Sequence, residues 1–463
     1  MSQRTSIRGL AGRYIVTDRQ FYKKMVLLTL PVLLQSVINQ GVNMMDTVMV
    51  GKLGEVSISA SSLANQFYLI YQFLCMGLSA AALVLASQYW GAGKKETVRK
   101  VCDLVLQIVI VLGTFFAVVS FLFPRQIMSI YTKDSQVIET GAGYLRVTAF
   151  VYLPHGLGLI IANFVRSIGN TRLGLVVSSI SFLVNIGSNY VFIFGKLGLP
   201  PMGVTGAALG TLCARVVEFL VCVVYLLKVE KTFRYNFRGL LQAPKAALAK
   251  EFRRLGLPAV ISDTLLGVSG SVLSVILGHM GREVVSAYSI VTVLDRMCAV
   301  ATAGVASAAG VMVGQTVGTG DFRRAHKEGQ SFLLLSIVMG AVSAVLVLLV
   351  GTWSISLYEI NGSTYRIAVS MMQASALIVL FQSTGTTTTK GVLRGGGDTR
   401  FLMVADVIFQ WCASIPLGYL CGLVLHLPPF WVLIALRIDY VIKAIWMSFR
   451  LQGTKWIHKV KNV

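Results

Sequence analysis

Four polar residues interrupt the first long apolar run of the chain: Gln35, Asn39, Asn43 and Asp46, spaced four, four and three. At 3.6 residues per turn they share one face of a helix. A carboxylate with amides along one face can hold a monovalent cation or exchange a proton. That face must turn toward protein or a water-filled cavity, because an acid in lipid is costly. A second set, Ser181, Asn185 and Asn189, is again spaced by four. Alone, such amides bond across helices. Beside Asp46, Asn185 and Asn189 would complete a site for coupling to a cation or proton, with Asn43. His155 is the one histidine clearly inside an apolar run. It is a candidate for the same cluster or for a substrate pathway with Gln35 and Asn39.

The second half carries more acids at apolar depth: Asp263, Asp295, Asp406 and Asp439. Asp439 and Lys443 are four apart, and Arg215 and Glu218 three apart, spacings that suit structural charge pairs on one helix. Asp406 is expected to meet Arg437. Asp263 and Asp295 have no evident dedicated partner, since Arg296 points off another face from Asp295. Both are therefore candidates for attracting a cationic substrate.

The elements that must position these residues are membrane helices. The 463-residue chain is 55% hydrophobic and 13% charged, with a mean hydropathy of +0.73. A soluble protein would carry about 25% charged residues. Twelve apolar segments are long enough to span a bilayer: 26–50, 57–90, 102–123, 136–163, 173–195, 204–227, 254–278, 285–317, 330–352, 364–391, 401–424 and 430–449. Lipid offers no partner to an open strand edge, so helices are expected. The first segment lacks a small-residue cleavage signal and is read as retained. The seven cysteines lie in or beside apolar segments and read as small core residues.

The formal charge of +22 does not point to nucleic acid, because its distribution follows the loops. Odd-numbered loops hold six basic residues: Lys52, Arg125, Lys133, Lys196, Arg282 and Arg366. With Arg254, Arg366 and Lys390, near the ends of their segments, counted to the adjoining loops, five lie within segments, and the other 30 of the 41 occupy the termini and the even-numbered loops. This is the positive-inside pattern with both termini cytoplasmic. It implies a multi-pass protein of the inner (plasma) membrane.

The chain also repeats itself. Shifted by 227 residues, Leu30-Pro31 falls on Leu257-Pro258, Gly51 and Gly54 on Gly278 and Gly281, and "SQYWGAGKK" (87–95) on "GQTVGTGDF" (314–322). With one inserted residue, "RSIGNTR" (166–172) falls on "RGGGDTR" (394–400). The two stretches are matching corners of a duplicated unit. Six segments per half return the chain to its starting side, so the halves are parallel. The expected fold is all-α: twelve transmembrane helices in two six-helix lobes around a central cavity. The expected divisions are a cytoplasmic segment 1–25, an N-lobe 26–227, a cytoplasmic linker 228–253, a C-lobe 254–449 and a cytoplasmic tail 450–463.

Taken together, "MMDTVMVGKLG", "SQYWGAGK", "GQTVGTGD", the two corners and "NIGSNYVFIFGKLGLPPMGVTGAALGT" (185–211) resemble the multidrug and toxic compound extrusion (MATE) family over essentially the whole chain. The resemblance implies alternating access and export of mostly cationic, amphipathic compounds in exchange for Na⁺ or H⁺. It implies no cofactor, no metal beyond a possible Na⁺ at Asp46, and a monomer in contact with lipid. Asp46, Pro31 and Asn185 match family residues. At Asn189 one branch carries Asp. Another branch carries Glu where this chain has Leu266 and Asp where it has Ser383. Neither branch fits cleanly.

Two other functions have different requirements. A lipid-linked oligosaccharide flippase would need a strongly cationic cavity, and few basic residues lie in segments. An integral-membrane enzyme would need a cluster of His, Asp or Glu, or a nucleophile with its base. The histidines, at 155, 279, 326, 426 and 458, form no such pattern.

Overall fold

A computed structural model describes residues 15–230, 235–236, 239–240, 242–356 and 362–461. The first 14 residues of the expected cytoplasmic segment and parts of the linker lie outside them. Among the described residues there are helices and no strands.

The first half comprises α1 (Arg19–Gly51), α2 (Glu55–Gly91), α3 (Lys95–Leu122), α4 (Pro124–Tyr131), α5 (Ser135–Thr148), α6 (Tyr152–Ser167), α7 (Arg172–Phe194) and α8 (Gly203–Val224). A short α9 (Ala246–Glu251) ends the linker. The second half comprises α10 (Leu257–His279), α11 (Arg282–Thr319), α12 (Phe322–Ser356), α13 (Gly362–Thr386), α14 (Thr399–Val407), α15 (Ile415–Tyr419), α16 (Pro429–Leu436) and α17 (Ile438–Gln452). Wider π-type turns continue α8, α13, α14 and α15 and lead into α10.

Nine helical stretches among the described residues are long and apolar enough to cross a membrane, and a bent pair makes a tenth. That pair is the expected segment 136–163, which is bent. α5 and α6 meet at 50°. Pro154 has no N–H to donate, and its ring crowds the carbonyl four residues back, so the helix cannot run through Phe150. The two remaining expected segments are helical as well. α8 carries the charged pair Arg215 and Glu218, and the break at Arg437 divides 430–449 into α16 and α17, of 8 and 15 residues. At the break Arg437 has φ −121° and ψ 17°.

The chain forms two compact units. One comprises residues 34–86 and 94–252; the other comprises the chain up to Leu33, Ser87–Gly93 and the chain from Arg253. The boundaries follow the repeat except within two helices. α1 changes unit just past Pro31, and α2 changes unit in its last turn. In the first unit Met49, Ala60, Met128, Leu145 and Ile193 form a core, and Tyr71, Phe116 and Tyr152 form an aromatic cluster beside it. In the second, Leu277, Val291, Met371 and Leu433 are central to the core. Large apolar side chains also stand outside, among them Phe115, Leu183, Leu349 and Phe449, each at least 60% exposed. So much exposed apolar surface fits a lipid surround.

Candidate functional site

The first unit brings Asp46 and the α7 amides together. Asn189 sits inside its unit at 0% exposure, because four-residue spacing sets Ser181, Asn185 and Asn189 on the buried stripe of α7. Its Nδ2 donates to Asp46 Oδ1 at 2.5 Å and more weakly to Asn185 Oδ1 at 3.3 Å. The Asn189 Oδ1 is buried and accepts from no described residue. It faces Gly210 of α8, where an added Cβ would lie 1.9 Å away. Only glycine at 210 leaves room for this amide. The site therefore offers one carboxylate and two amides, with one amide oxygen unused. This donor set can hold a proton on Asp46 or coordinate a small cation through oxygen.

The other residues of the α1 face separate from this site. The side chains of Asn39 and Asn43 are exposed, and neither makes a hydrogen bond to a described residue. Gln35 lies further along α1, beside Gly174 of α7, and its Oε1 accepts from Arg166 Nη2 at 2.7 Å. Arg166 belongs to the first repeated corner and has no carboxylate partner among the described residues. His155 does not reach the amides. It is buried in a box with the rings of Tyr68 and Tyr71, at 5.5 and 6.4 Å, and both ring nitrogens lack partners. Arg215 and Glu218 form an ion pair at 2.7 Å.

In the second unit Asp263, Asp295, Asp406 and Asp439 each have a basic partner. Asp263, expected to stand alone, is gripped by Arg394, whose Nη1 and Nη2 each donate at 2.9 Å. Lys390 lies 3.9 Å away. Asp295, also expected alone, is 2.8 Å from Arg437 and accepts from Ser375. Arg437 also donates to the Tyr288 hydroxyl at 3.1 Å. The pairing of Asp406 with Arg437 is thus corrected. Asp406 instead binds Lys443 at 2.9 Å and accepts from Ser262. Lys443 also holds Asp439 at 3.0 Å. The helix break at Arg437 turns that side chain toward α11 and away from the α17 face that carries Asp439 and Lys443. Arg296 is exposed. Ser383 is 3.0 Å from the Thr302 hydroxyl.

Sequence reasoning missed Arg394 and Gly210. A signal for Arg394 was present: it aligns with Arg166 across the repeat, while Asp263 aligns with Ser36, next to Gln35. Gly210 had none, since only packing shows what its missing Cβ makes room for. No cluster of three or more metal-ligating His, Cys, Asp or Glu exists among the described residues.

Comparisons with known proteins agree with this architecture. The MatE family profile matches residues 31–191 and 258–420, one match in each repeat. The chain is 24% identical over 407 residues to the probable multidrug resistance protein NorM of Idiomarina loihiensis, covering 87% of both chains. It is 22% identical to the multidrug resistance protein MdtK of Yersinia pseudotuberculosis, covering 96% of this chain and 97% of that one. Among solved structures, a MATE protein in complex with MaL6 superposes with a TM-score of 0.85 at 18% identity, covering 94% of this chain and 97% of that one. A MOP superfamily transporter from Pyrococcus furiosus gives 0.83 at 18% identity, covering 95% and 99%.

Proposed function

The chain belongs to the MatE family, and from that premise we propose that it is a secondary active antiporter that exports cationic or amphipathic drugs in exchange for Na⁺ or H⁺. Membership makes it a multidrug efflux transporter of the membrane and not an enzyme. The observation that carries the coupling proposal is the Asp46–Asn189–Asn185 cluster.

The chemistry follows from the hydrogen bonds. An ionised Asp46 accepts from Asn189 and keeps a negative charge in a low-dielectric unit, at a cost in free energy. A proton or Na⁺ removes that cost, so the site favours loading. Turning the Asn189 amide would present its unused oxygen to a bound cation or to a protonated carboxyl. Loading and unloading then alter the contact between α1 and α7, which is a means of biasing two conformations. The exposed Asn39 and Asn43 give α1 a polar surface for substrate.

Asp263 and Asp295 enter this proposal differently from their sequence-based role. Each is neutralised by an arginine, so neither offers a free counter-charge to an organic cation. In this reading Gln35 and His155 serve as supporting groups within their unit. The flippase alternative loses support for the same reason, because Arg215, Arg394, Arg437 and Lys443 are all ion-paired. A diphosphate would find them already engaged.

The test is drug efflux from proteoliposomes under separately imposed Na⁺ and H⁺ gradients. One gradient should drive uphill export, and Asp46→Asn should abolish it. Export unaffected by either gradient would overturn the antiport reading.

A further inference from the structure

The last turn of α2 packs in the second unit, against the end of α11, with no space for side chains between them. A Cβ on Gly91 would lie 1.9 Å from the Gln315 carbonyl oxygen. One on Gly318 would lie 2.0 Å from that of Gln88, and one on Gly314 would lie 2.2 Å from Ser87 Oγ. Gly91 and Gly318 are matched glycines of the two repeat motifs, so backbone meets backbone in a tight seam.

Gln88 is fully buried in that seam and uses both ends of its amide. Its Nε2 donates to the Gly395 carbonyl at 2.9 Å, and its Oε1 accepts from the Val460 backbone N–H at 2.9 Å. Val460 belongs to the carboxyl-terminal segment. The Tyr89 hydroxyl donates to the Lys461 carbonyl at 3.1 Å. Trp456 is 0% exposed and lies on Gly396, where a Cβ would meet the indole at 2.3 Å. The His458 N–H donates to the Gly396 carbonyl at 2.7 Å. Arg450 ties Asp398 at 3.0 Å and stacks on Phe401 at 4.5 Å. Residues 456–461 thus run along the second repeated corner as far as the end of α2. This gives the glycines of "RGGGDTR" a use that the first corner, "RSIGNTR", does not share.

We propose that residues 456–461 are a strap that fastens the end of α2 to α11, and that the strap must leave Gln88 before this seam can open. The proposal rests on the antiporter reading, because alternating access is what requires such a seam to open. The physical basis is satisfaction of buried polar groups. With the strap gone, Gln88 Oε1 loses its donor while still buried, and an unmet buried acceptor is costly. Water must then enter, and entry of water is the opening of the seam. The seam therefore stays shut while the strap holds Gln88.

The experiment uses the full chain in detergent, with Cys412→Ser removing an exposed thiol. Ser87→Cys serves as reporter, since position 87 is 0% exposed. Its reaction rate with a soluble maleimide is measured with and without changes in the strap. Trp456→Ala and Gln88→Ala should each raise the rate at least roughly fivefold, and Trp456→Phe should keep the parent rate. Unchanged rates in both alanine variants, in protein that elutes as folded, would overturn the strap. If Trp456→Ala does not fold, Gln88→Ala decides. Raised rates in a protein that moves no drug under either ion gradient would uphold the strap and overturn the antiporter reading instead.

Discussion

Arg394 grips Asp263 with two hydrogen bonds of 2.9 Å, and Arg166, at the matching corner of the first repeat, holds Gln35 with one of 2.7 Å. Each corner arginine thus anchors the first helix of its own repeat, four or five residues past the proline at 31 or 258. The partners differ in charge, and this sets the first prediction. Arg394→Ala strands a buried carboxylate and should destabilise by ~3–5 kcal/mol. Arg166→Ala strands only an amide and should cost about 1–3 kcal/mol. Thermal unfolding in detergent compares the two, and equal losses would contradict the assignment.

Asp46→Asn should fold like the parent, within about 1 kcal/mol, because the new amide keeps the shape and removes a costly charge. Uphill efflux should fall to background while drug binding persists. Efflux equal to the parent's would make Asp46 structural.

Gly210→Ala should damage the same site from the other side. Its methyl group would lie 1.9 Å from Asn189 Oδ1, so the amide must move away from Asp46. The expected cost is ~1–3 kcal/mol of stability together with weaker ion coupling. Gly187→Ala is the control on the neighbouring helix α7, since nothing lies within 4 Å of its Cβ. It should leave transport intact.

Asp295→Asn should leave Arg437 buried without a counter-charge and reduce folded protein, at about 3–5 kcal/mol. Export of charged and neutral drugs should fall by the same factor. The double change Asp295→Leu with Arg437→Met should recover much of the stability, because an apolar pair of similar volume can replace a buried ion pair. A selective loss of cationic drugs in Asp295→Asn would restore the substrate-binding role.

The partition of basic residues predicts that the linker and both ends face the cytoplasm. A single cysteine introduced at Gln242 should resist an impermeant thiol reagent added to intact cells and react once the membrane is opened. Reaction in intact cells would reverse the topology.

The sequence by itself determined the helical class, the duplication and the position of Asp46 on a polar face. These follow from periodicity and repetition, which are local properties of the chain. It also showed that Asn185 and Asn189 share a stripe, because spacing by four is enough for that. Tertiary structure alone decided which polar groups meet. Asp263 and Asp295 looked unpartnered because Arg394 and Arg437 lie 131 and 142 residues away. Arg394 reaches in from a corner that sequence reading assigned to the membrane surface, and Arg437 sits at a break in what read as a continuous helix. Asn39 and Asn43 share the helical face of Asp46 yet stand outside the cluster, because their side chains are exposed while Asn185 and Asn189 are buried within the unit. The role of residues 456–461 was invisible for a further reason. An irregular segment has no periodicity, and its contacts with Gln88 and Gly396 exist only once distant parts of the chain have folded together.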